Sequence, residues 1–139
     1  MNNITFSIIK PTAVRDGNSG KILSIIVDAG FRITGLKLTQ TTLNQAFLFY
    51  EIHEGKEFFK SFIEYMSSGP IIVMILEKDN AVEDFRKLIG STDPENAEEG
   101  SIRKIFGKSI SYNAIHGSDS NENAVIESDF FFSKTERFK

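Results

Sequence analysis

The sequence predicts an α+β fold, in which helices pack on one mostly antiparallel sheet. Two observations lead to this prediction. Strand-like and helix-like segments follow one another with short connections along 139 residues, and the continuous apolar run Ile71–Leu76 is typical of a central strand buried on both faces. A doubly wound dinucleotide-binding fold would need more strands and a G-x-G-x-x-G turn. The length fits one domain that spans residues 1–139.

The first elements are a strand and a helix. Ile4–Ile9 is rich in β-branched and aromatic residues, which favour a strand, and Pro11 ends it. A helix follows, for which Asn18 and Ser19 are candidate caps and Gly30 is a stop signal.

The middle of the chain adds a second strand and two helices. Phe31–Thr39 alternates as a strand, but its apolar phase slips by one residue, which a bulge near Gly35 explains. Thr41–Ile52 and Lys56–Ser67 have apolar residues at helical spacing, and the dipeptide that begins at Gly69 ends the second of them.

After the apolar central strand, the remaining segments alternate between helix and loop. Asn80 is positioned to cap a helix over Ala81–Ile89. Ser91–Gly100 is acidic and rich in turn formers, so it predicts a loop, and Ser101–Phe106 fits one helical turn. Ser120–Phe131 predicts the final helix.

Composition excludes several classes of protein. With 16 Lys and Arg against 19 Asp and Glu, the net charge of -3 argues against a general nucleic-acid-binding surface. The absence of cysteine excludes disulfides, thiol nucleophiles and cysteine metal sites. No apolar run is long enough to cross a bilayer, and strand-like residues begin at Ile4, before a signal peptide would fit. We expect a soluble, cytoplasmic protein.

The sequence has two histidines, and only one stands in an unusual setting. His53 lies at a predicted helix end, where a favourable interaction with the helix dipole is sufficient explanation. His116 lies in the segment N-A-I-H-G-S-D-S, where Gly117 leaves room beside the ring and Ser118 and Asp119 can act as hydrogen-bonding partners. From local chemistry alone, a structural role is the commoner alternative to catalysis for such a histidine.

Several cations are candidates for binding an anion. Lys10 ends the first strand, where burial of an ammonium group requires a partner, although the side chain could also extend to solvent. Arg86 and Arg103 would form a phosphate clamp with Lys10 if the three converged, which spacing cannot show. Phe58 is a core residue by default and a stacking surface only if its ring is exposed. No P-loop, protein-kinase motif or cluster with metal-ligand spacing is present.

Three motifs together resemble the nucleoside diphosphate kinase family: I-K-P from residue 9, S-G-P from residue 68 and N-A-I-H-G-S-D-S from residue 113. The resemblance runs from about Thr5 to Phe132. It implies a ferredoxin-like βαββαβ sandwich with a four-stranded antiparallel sheet. It also implies transfer of the γ-phosphoryl group of a nucleoside triphosphate, mainly ATP, to a nucleoside diphosphate. The implied mechanism is ping-pong, through a phosphohistidine at His116.

The resemblance assigns the other site residues as well. The implied catalytic group comprises His116, Glu127, Lys10, Tyr50 and Ser118. The implied nucleotide-binding group comprises Lys10, Phe58, Arg86, Thr92, Arg103 and Asn113. Mg²⁺ is the implied cofactor, held mainly through nucleotide phosphates rather than by protein ligands. The implied assembly is a homo-oligomer, either hexamer or tetramer, with no membrane partner and no specific nucleic acid.

Four positions depart from the family's pattern, and all lie outside these site residues. Thr12 and Ile105 replace carboxylates, and Asp16 and Tyr112 replace arginines. We hypothesise that supporting salt bridges were lost together, since one unpaired buried charge would be costly. The alternative function is a catalytically silent nucleotide-binding or regulatory paralogue of the same fold. Such a protein would usually lack the histidine, the lysine or an arginine, and this chain keeps them all.

Overall fold

A computed structural model of the protein describes residues 3–139. Within these residues one sheet contains four strands: β1 (Ile4–Ile9), β2 (Arg32–Thr39), β3 (Ile71–Glu77) and β4 (Ile115–Gly117). Their spatial order is β2-β3-β1-β4, and every neighbouring pair is antiparallel. The described helices are α1 (Pro11–Arg15), α2 (Ser19–Asp28), α3 (Leu43–Tyr50), α4 (Phe59–Met66), α5 (Ala81–Ile89), α6 (Ile102–Phe106) and α7 (Asn121–Phe131).

Both faces of the sheet are covered. Alternation along β1 places Phe6 and Ile8 in one buried apolar cluster, with residues of α3 and α4, and Ile9 in another, with residues of α2 and α5. The prediction of an α+β sandwich on an antiparallel sheet is confirmed, and the arrangement is ferredoxin-like. None of the helices within residues 3–139 has the length and apolar character needed to span a membrane.

Most predicted elements are confirmed, and β2 contains the predicted bulge, where its pairing with β3 shifts between Ile33 and Gly35. The predicted helix over 56–67 begins later, at Phe59, because Phe58 has a left-handed backbone (φ 67°) that interrupts the helical path. The prediction that Asn80 caps α5 is wrong. Its φ of 60° is also left-handed, and its side-chain amide donates to Glu83 Oε2 (3.1 Å) instead of accepting from the helix.

Two short elements had no signal of their own in the residue pattern. Helix α1 has only five residues, and β4 has three, which is too few for periodicity to be recognised. Gly117 is required for packing against α5 rather than, as expected, to leave room beside the His116 ring. A Cβ there would lie 2.9 Å from Phe85 Cδ2 and 3.1 Å from Ile89 Cδ1, so the glycine lets α5 pack closely against β4.

Candidate active site

His116 is held by a carboxylate from the last helix. It lies on β4 opposite Ile8 of β1, and its side chain is partly buried. Its Nε2 is 3.0 Å from Glu127 Oε1 on α7. A carboxylate can only accept this bond, so Nε2 carries the proton and a neutral ring keeps its lone pair on Nδ1. The contact therefore leaves Nδ1 as the ring nitrogen with a free lone pair.

Ser118 fixes the carboxylate in turn. Its hydroxyl donates to Glu127 Oε1 (2.7 Å), while it accepts from the backbone N–H of Phe6 (3.2 Å). Ser118 is fully buried, and Phe6 O lies 3.3 Å from its hydroxyl as a second, longer acceptor contact. The order of contacts is β1 backbone, serine, glutamate, histidine, and each member limits the freedom of the next.

Aromatic rings surround the His116 imidazole. The ring centroids of Phe6, Phe49 and Tyr50 lie 6.2, 5.8 and 6.2 Å from it, each approaching edge-on. Burial, with the charge of Glu127 in second place, raises the pKa of Tyr50, whose hydroxyl therefore stays protonated. That hydroxyl is buried and has no hydrogen-bond partner among residues 3–139, which leaves its capacity to donate unused.

Lys10 is buried beside Asn113. Its backbone N–H donates to Ala114 O (2.9 Å), and its ammonium donates to Asn113 Oδ1 (2.7 Å) and lies 5.2 Å from the Phe62 ring centroid. Asn113 Nδ2 donates to Thr92 O (3.0 Å), which fixes the amide. Only 5% of Lys10 is exposed, so the alternative in which it extends to solvent does not hold. Burial, with a smaller effect of Arg103, lowers the pKa of Lys10 to about 7.

Arg103 reaches the strand that carries the histidine. Its Nη2 donates to Ile115 O (2.9 Å), and its Nη1 donates to Gly90 O (3.0 Å) at the end of α5. Gly90 has φ 88°, and a Cβ there would lie 2.5 Å from Ser101 Oγ, so this anchor requires glycine. Burial, followed by the charge of Arg86, lowers the pKa of Arg103 to about 10.

The cations of the site have no acidic partners. Among residues 3–139, no carboxylate forms a salt bridge with Lys10, Arg86 or Arg103. The charge of Arg103 contributes to the lowered pKa of Lys10, and the charge of Arg86 contributes to the lowered pKa of Arg103, so the positive groups lie near one another. A group of uncompensated cations is suited to an anion that bears several oxygens.

Two of the candidate binding residues stand apart from these contacts. Phe58 is 70% exposed and its ring is accessible for stacking, so it is not a core residue. Thr92 is exposed and reaches the group only through its backbone oxygen. His53 is exposed too, with Nδ1 2.9 Å from Lys56 Nζ. Partial burial, followed by the charge of Lys56, lowers the pKa of His53.

Nearly the whole chain matches a known family. The family model for nucleoside diphosphate kinase matches residues 3–137. The chain belongs to the nucleoside diphosphate kinase family. It is an enzyme of phosphoryl transfer between nucleoside triphosphates and nucleoside diphosphates.

Relatives and solved structures agree with this assignment. The chain is 53% identical to the nucleoside diphosphate kinase of Flavobacterium psychrophilum, over 98% of each chain. It is 52% identical to that of Chlorobaculum tepidum, over 95% of this chain and 94% of the other. The Aquifex aeolicus structure superposes with a TM-score of 0.95 at 41% identity, covering 97% of this chain and 98% of that one. The Halobacterium salinarum enzyme, solved with CDP, gives a TM-score of 0.95 at 31% identity, covering 100% and 93%.

Thr12 and Tyr112, two of the departures from the nucleoside diphosphate kinase pattern, both contact Tyr65, a residue that sequence reasoning missed. Tyr65 of α4 accepts from the backbone N–H of Thr12 (3.2 Å), and its ring centroid lies 4.2 Å from that of Tyr112. Asp16, a third departure, forms an ion pair with Lys108 (2.8 Å). Phe62 and Tyr65 were missed because their apolar spacing in α4 is equally consistent with core packing.

Restoring the family's acidic residue at Thr12 is expected to lower Tm or leave it unchanged. Thr12 is buried beside Tyr65, and an unpaired carboxylate there would cost at least the roughly 1–3 kcal/mol of an unsatisfied neutral polar group. The first turn of a helix favours an acidic residue by only about 0.3–1 kcal/mol, so the cost of burial dominates. Thermal unfolding of Thr12→Asp, compared with the uncharged Thr12→Asn, measures the difference. A clear rise in Tm for Thr12→Asp alone would contradict the hypothesis that supporting charges were lost together.

Proposed function

We propose that this chain catalyses the nucleoside diphosphate kinase reaction by a ping-pong mechanism, with a phosphohistidine on Nδ1 of His116 as the intermediate. The observation that supports this proposal is the contact of Nε2 with Glu127 Oε1 (3.0 Å), itself fixed by Ser118 (2.7 Å). That contact leaves the lone pair of Nδ1 available. The negative charge of Glu127 also stabilises the positive charge that the ring gains when Nδ1 attacks phosphorus.

The two half-reactions are the reverse of each other in form. In the first, the Nδ1 lone pair attacks the γ-phosphorus of the triphosphate, the bond to the β–γ bridging oxygen breaks, and the diphosphate leaves. In the second, a terminal β-phosphate oxygen of another diphosphate attacks the same phosphorus, the N–P bond breaks, and Nδ1 regains its lone pair. Glu127 accepts from Nε2 throughout, so no proton needs to move on the ring.

The cations of the site would stabilise the transferring group. In this proposal Lys10 contacts the transferring phosphoryl group and a sugar hydroxyl, and Arg86 and Arg103 hold the other phosphates. Tyr50 donates its unpartnered hydroxyl beside the histidine. Anionic oxygens would replace the missing carboxylate partners and restore a higher pKa to Lys10, which supplies charge where the transition state is most negative.

Recognition of the nucleoside would depend on stacking and sugar contacts. The exposed ring of Phe58 offers a surface on which any base can stack, so little discrimination among bases is expected. Asn113 would bind the sugar 3′-hydroxyl, and Thr92 would contact the phosphates. The Halobacterium salinarum relative was solved in complex with CDP, which supports a nucleoside diphosphate as the acceptor here.

The Mg²⁺ that this reaction uses would enter as part of the nucleotide complex, where it neutralises phosphate charge. Within residues 3–139 there is no group of three or more His, Asp or Glu side chains arranged to hold a metal ion. We further propose one domain over residues 1–139, of which residues 1–2 lie outside the described part. We also propose that the protein is cytoplasmic, forms a homo-oligomer that is a hexamer or a tetramer, and has no specific nucleic-acid partner.

The proposal is tested with γ-labelled ATP and Mg²⁺. We expect the quenched protein to carry label that is labile in acid and stable in alkali, because a phosphoramidate bond forms on the ring. Addition of unlabelled GDP should move that label into GTP at least as fast as steady-state turnover.

Two outcomes would contradict the proposal. ATP that binds without labelling the protein would identify a silent, regulatory paralogue. Turnover that requires donor and acceptor to be bound together, with no labelled protein, would indicate direct transfer between the two nucleotides.

A further inference from the structure

We infer that Tyr65 is a positioning residue for Lys10 and Asn113, and that its stack with Tyr112 holds it in place. The inference rests on the proposed function, since it concerns residues assigned there to the transferring phosphoryl group and the sugar. Tyr65 itself is placed in contact with neither nucleotide nor histidine.

The hydroxyl of Tyr65 holds the start of α1. The first backbone N–H groups of a helix have no partner within the helix. Here the Thr12 N–H donates to Tyr65 Oη (3.2 Å), while Lys10, two residues earlier, donates its own N–H to Ala114 O (2.9 Å). The turn that carries the Lys10 side chain is thus fixed on one side by Ala114, the residue before β4, and on the other by α4.

The ring of Tyr65 also reaches the segment that carries Asn113. Tyr112 directly precedes Asn113, and its ring packs against Tyr65 at 4.2 Å with an interplanar angle of 43°. The Tyr112 carbonyl accepts from the Lys108 N–H (2.8 Å), and Lys108 Nζ pairs with Asp16 (2.8 Å). One side chain therefore contacts both segments that meet in the Lys10–Asn113 hydrogen bond.

The same helix supports the ammonium group directly. Phe62 lies three residues before Tyr65, on the same side of α4, and its ring centroid is 5.2 Å from Lys10 Nζ. Helix α4 thus contacts the Lys10 ammonium through the Phe62 ring and the Thr12 backbone through the Tyr65 hydroxyl. Because Lys10 would act at the reacting phosphoryl group, a shift of α4 relative to this turn would affect chemistry more than binding.

Tyr65→Phe is the decisive variant, because it keeps the ring stack and removes only the hydroxyl. We expect kcat to fall about tenfold while KM for the diphosphate changes less than about twofold, since displacement of a charge at the reacting group costs rate before affinity. Tyr112→Ala removes the stack and should lower kcat in the same sense. Tyr112→Phe, which keeps the stack, is the matched control and should behave as the wild type.

Two NMR signals report on position independently of turnover. In Tyr65→Phe the Thr12 amide should exchange faster with solvent, because it has lost its acceptor. The Lys10 ammonium should titrate at a pKa clearly above the value of about 7 in the wild type, as water reaches the site. Neither change is expected in Tyr112→Phe, and Tm measured for each variant shows that the fold is retained.

The outcomes separate this inference from the proposed function. A wild-type chain that forms no phosphohistidine would overturn the proposed function, whatever Tyr65 does to the Thr12 amide and to Lys10. A wild-type chain that forms it, with Tyr65→Phe unchanged in kcat and in both NMR signals, would overturn the positioning role alone. Equal loss of activity in Tyr112→Phe and Tyr112→Ala would also overturn it, because the stack would then not be the cause.

Discussion

His116→Ala is expected to abolish labelling of the protein by γ-labelled ATP and to lower kcat by at least about 10⁴-fold, because no other group would accept the phosphoryl group. Binding of ATP should change little, since the cations and the exposed ring proposed to hold it are untouched. The measurements are quenched labelling, steady-state kcat and the Kd for ATP.

The chain offers a matched control in its second histidine. His53 is exposed and bonded only to Lys56 in the described structure, so His53→Ala should keep labelling and turnover near the wild-type level. Loss of label in His53→Ala with retention in His116→Ala would identify His53 as the phosphoryl acceptor and contradict the mechanism.

Lys10→Met is expected to lower kcat by about 10²–10³-fold and yet raise Tm at neutral pH. Within residues 3–139 the lysine is buried without an acidic partner, and its pKa of about 7, against an ordinary 10.5, corresponds to a destabilisation on the order of a few kcal/mol. Loss of the donor to Asn113 costs about 1–3 kcal/mol of this gain. A net gain of about 1–2 kcal/mol would raise Tm by roughly 2–8 °C.

The gain in stability of Lys10→Met over the wild type should depend on pH. Between pH 7 and 10.5 the unfolded lysine binds a proton that the folded one does not, so the wild-type protein gains stability as pH rises. The advantage of Lys10→Met should therefore be full below pH 7 and disappear towards pH 10.5. Lys21→Met, at an exposed position on α2, is the control and should move Tm by less than about 1 °C. A fall in Tm at pH 6 for Lys10→Met would contradict the burial argument.

Sequence alone could predict elements whose signal is local. Ser120 is followed by a helical pattern, and in the structure its hydroxyl accepts from the Asn123 N–H (3.0 Å), as an N-cap does. Asn80 has the same sequence signature, but its backbone is left-handed, a conformation that asparagine adopts more readily than serine. The three residues of β4 become a strand only because β1 lies beside them.

The candidate site was predictable where a motif carried it and not where packing created it. Only the resemblance singled out Glu127, because its meeting with His116 depends on how α7 docks on the sheet. Tyr65 and Tyr112 had no signal, since they lie 47 positions apart in the chain and their contact is purely tertiary. The unpartnered hydroxyl of Tyr50 is likewise a property of its surroundings.

The bond between Lys10 and Asn113 joins residues 103 positions apart, and Glu127 lies later still. A ribosome therefore releases the first strand long before the last helix exists, and the nascent chain holds an incomplete catalytic centre during most of its synthesis. In the proposed mechanism, activity begins only when α7 docks and brings Glu127 to His116. Detachment of α7 would therefore silence the enzyme.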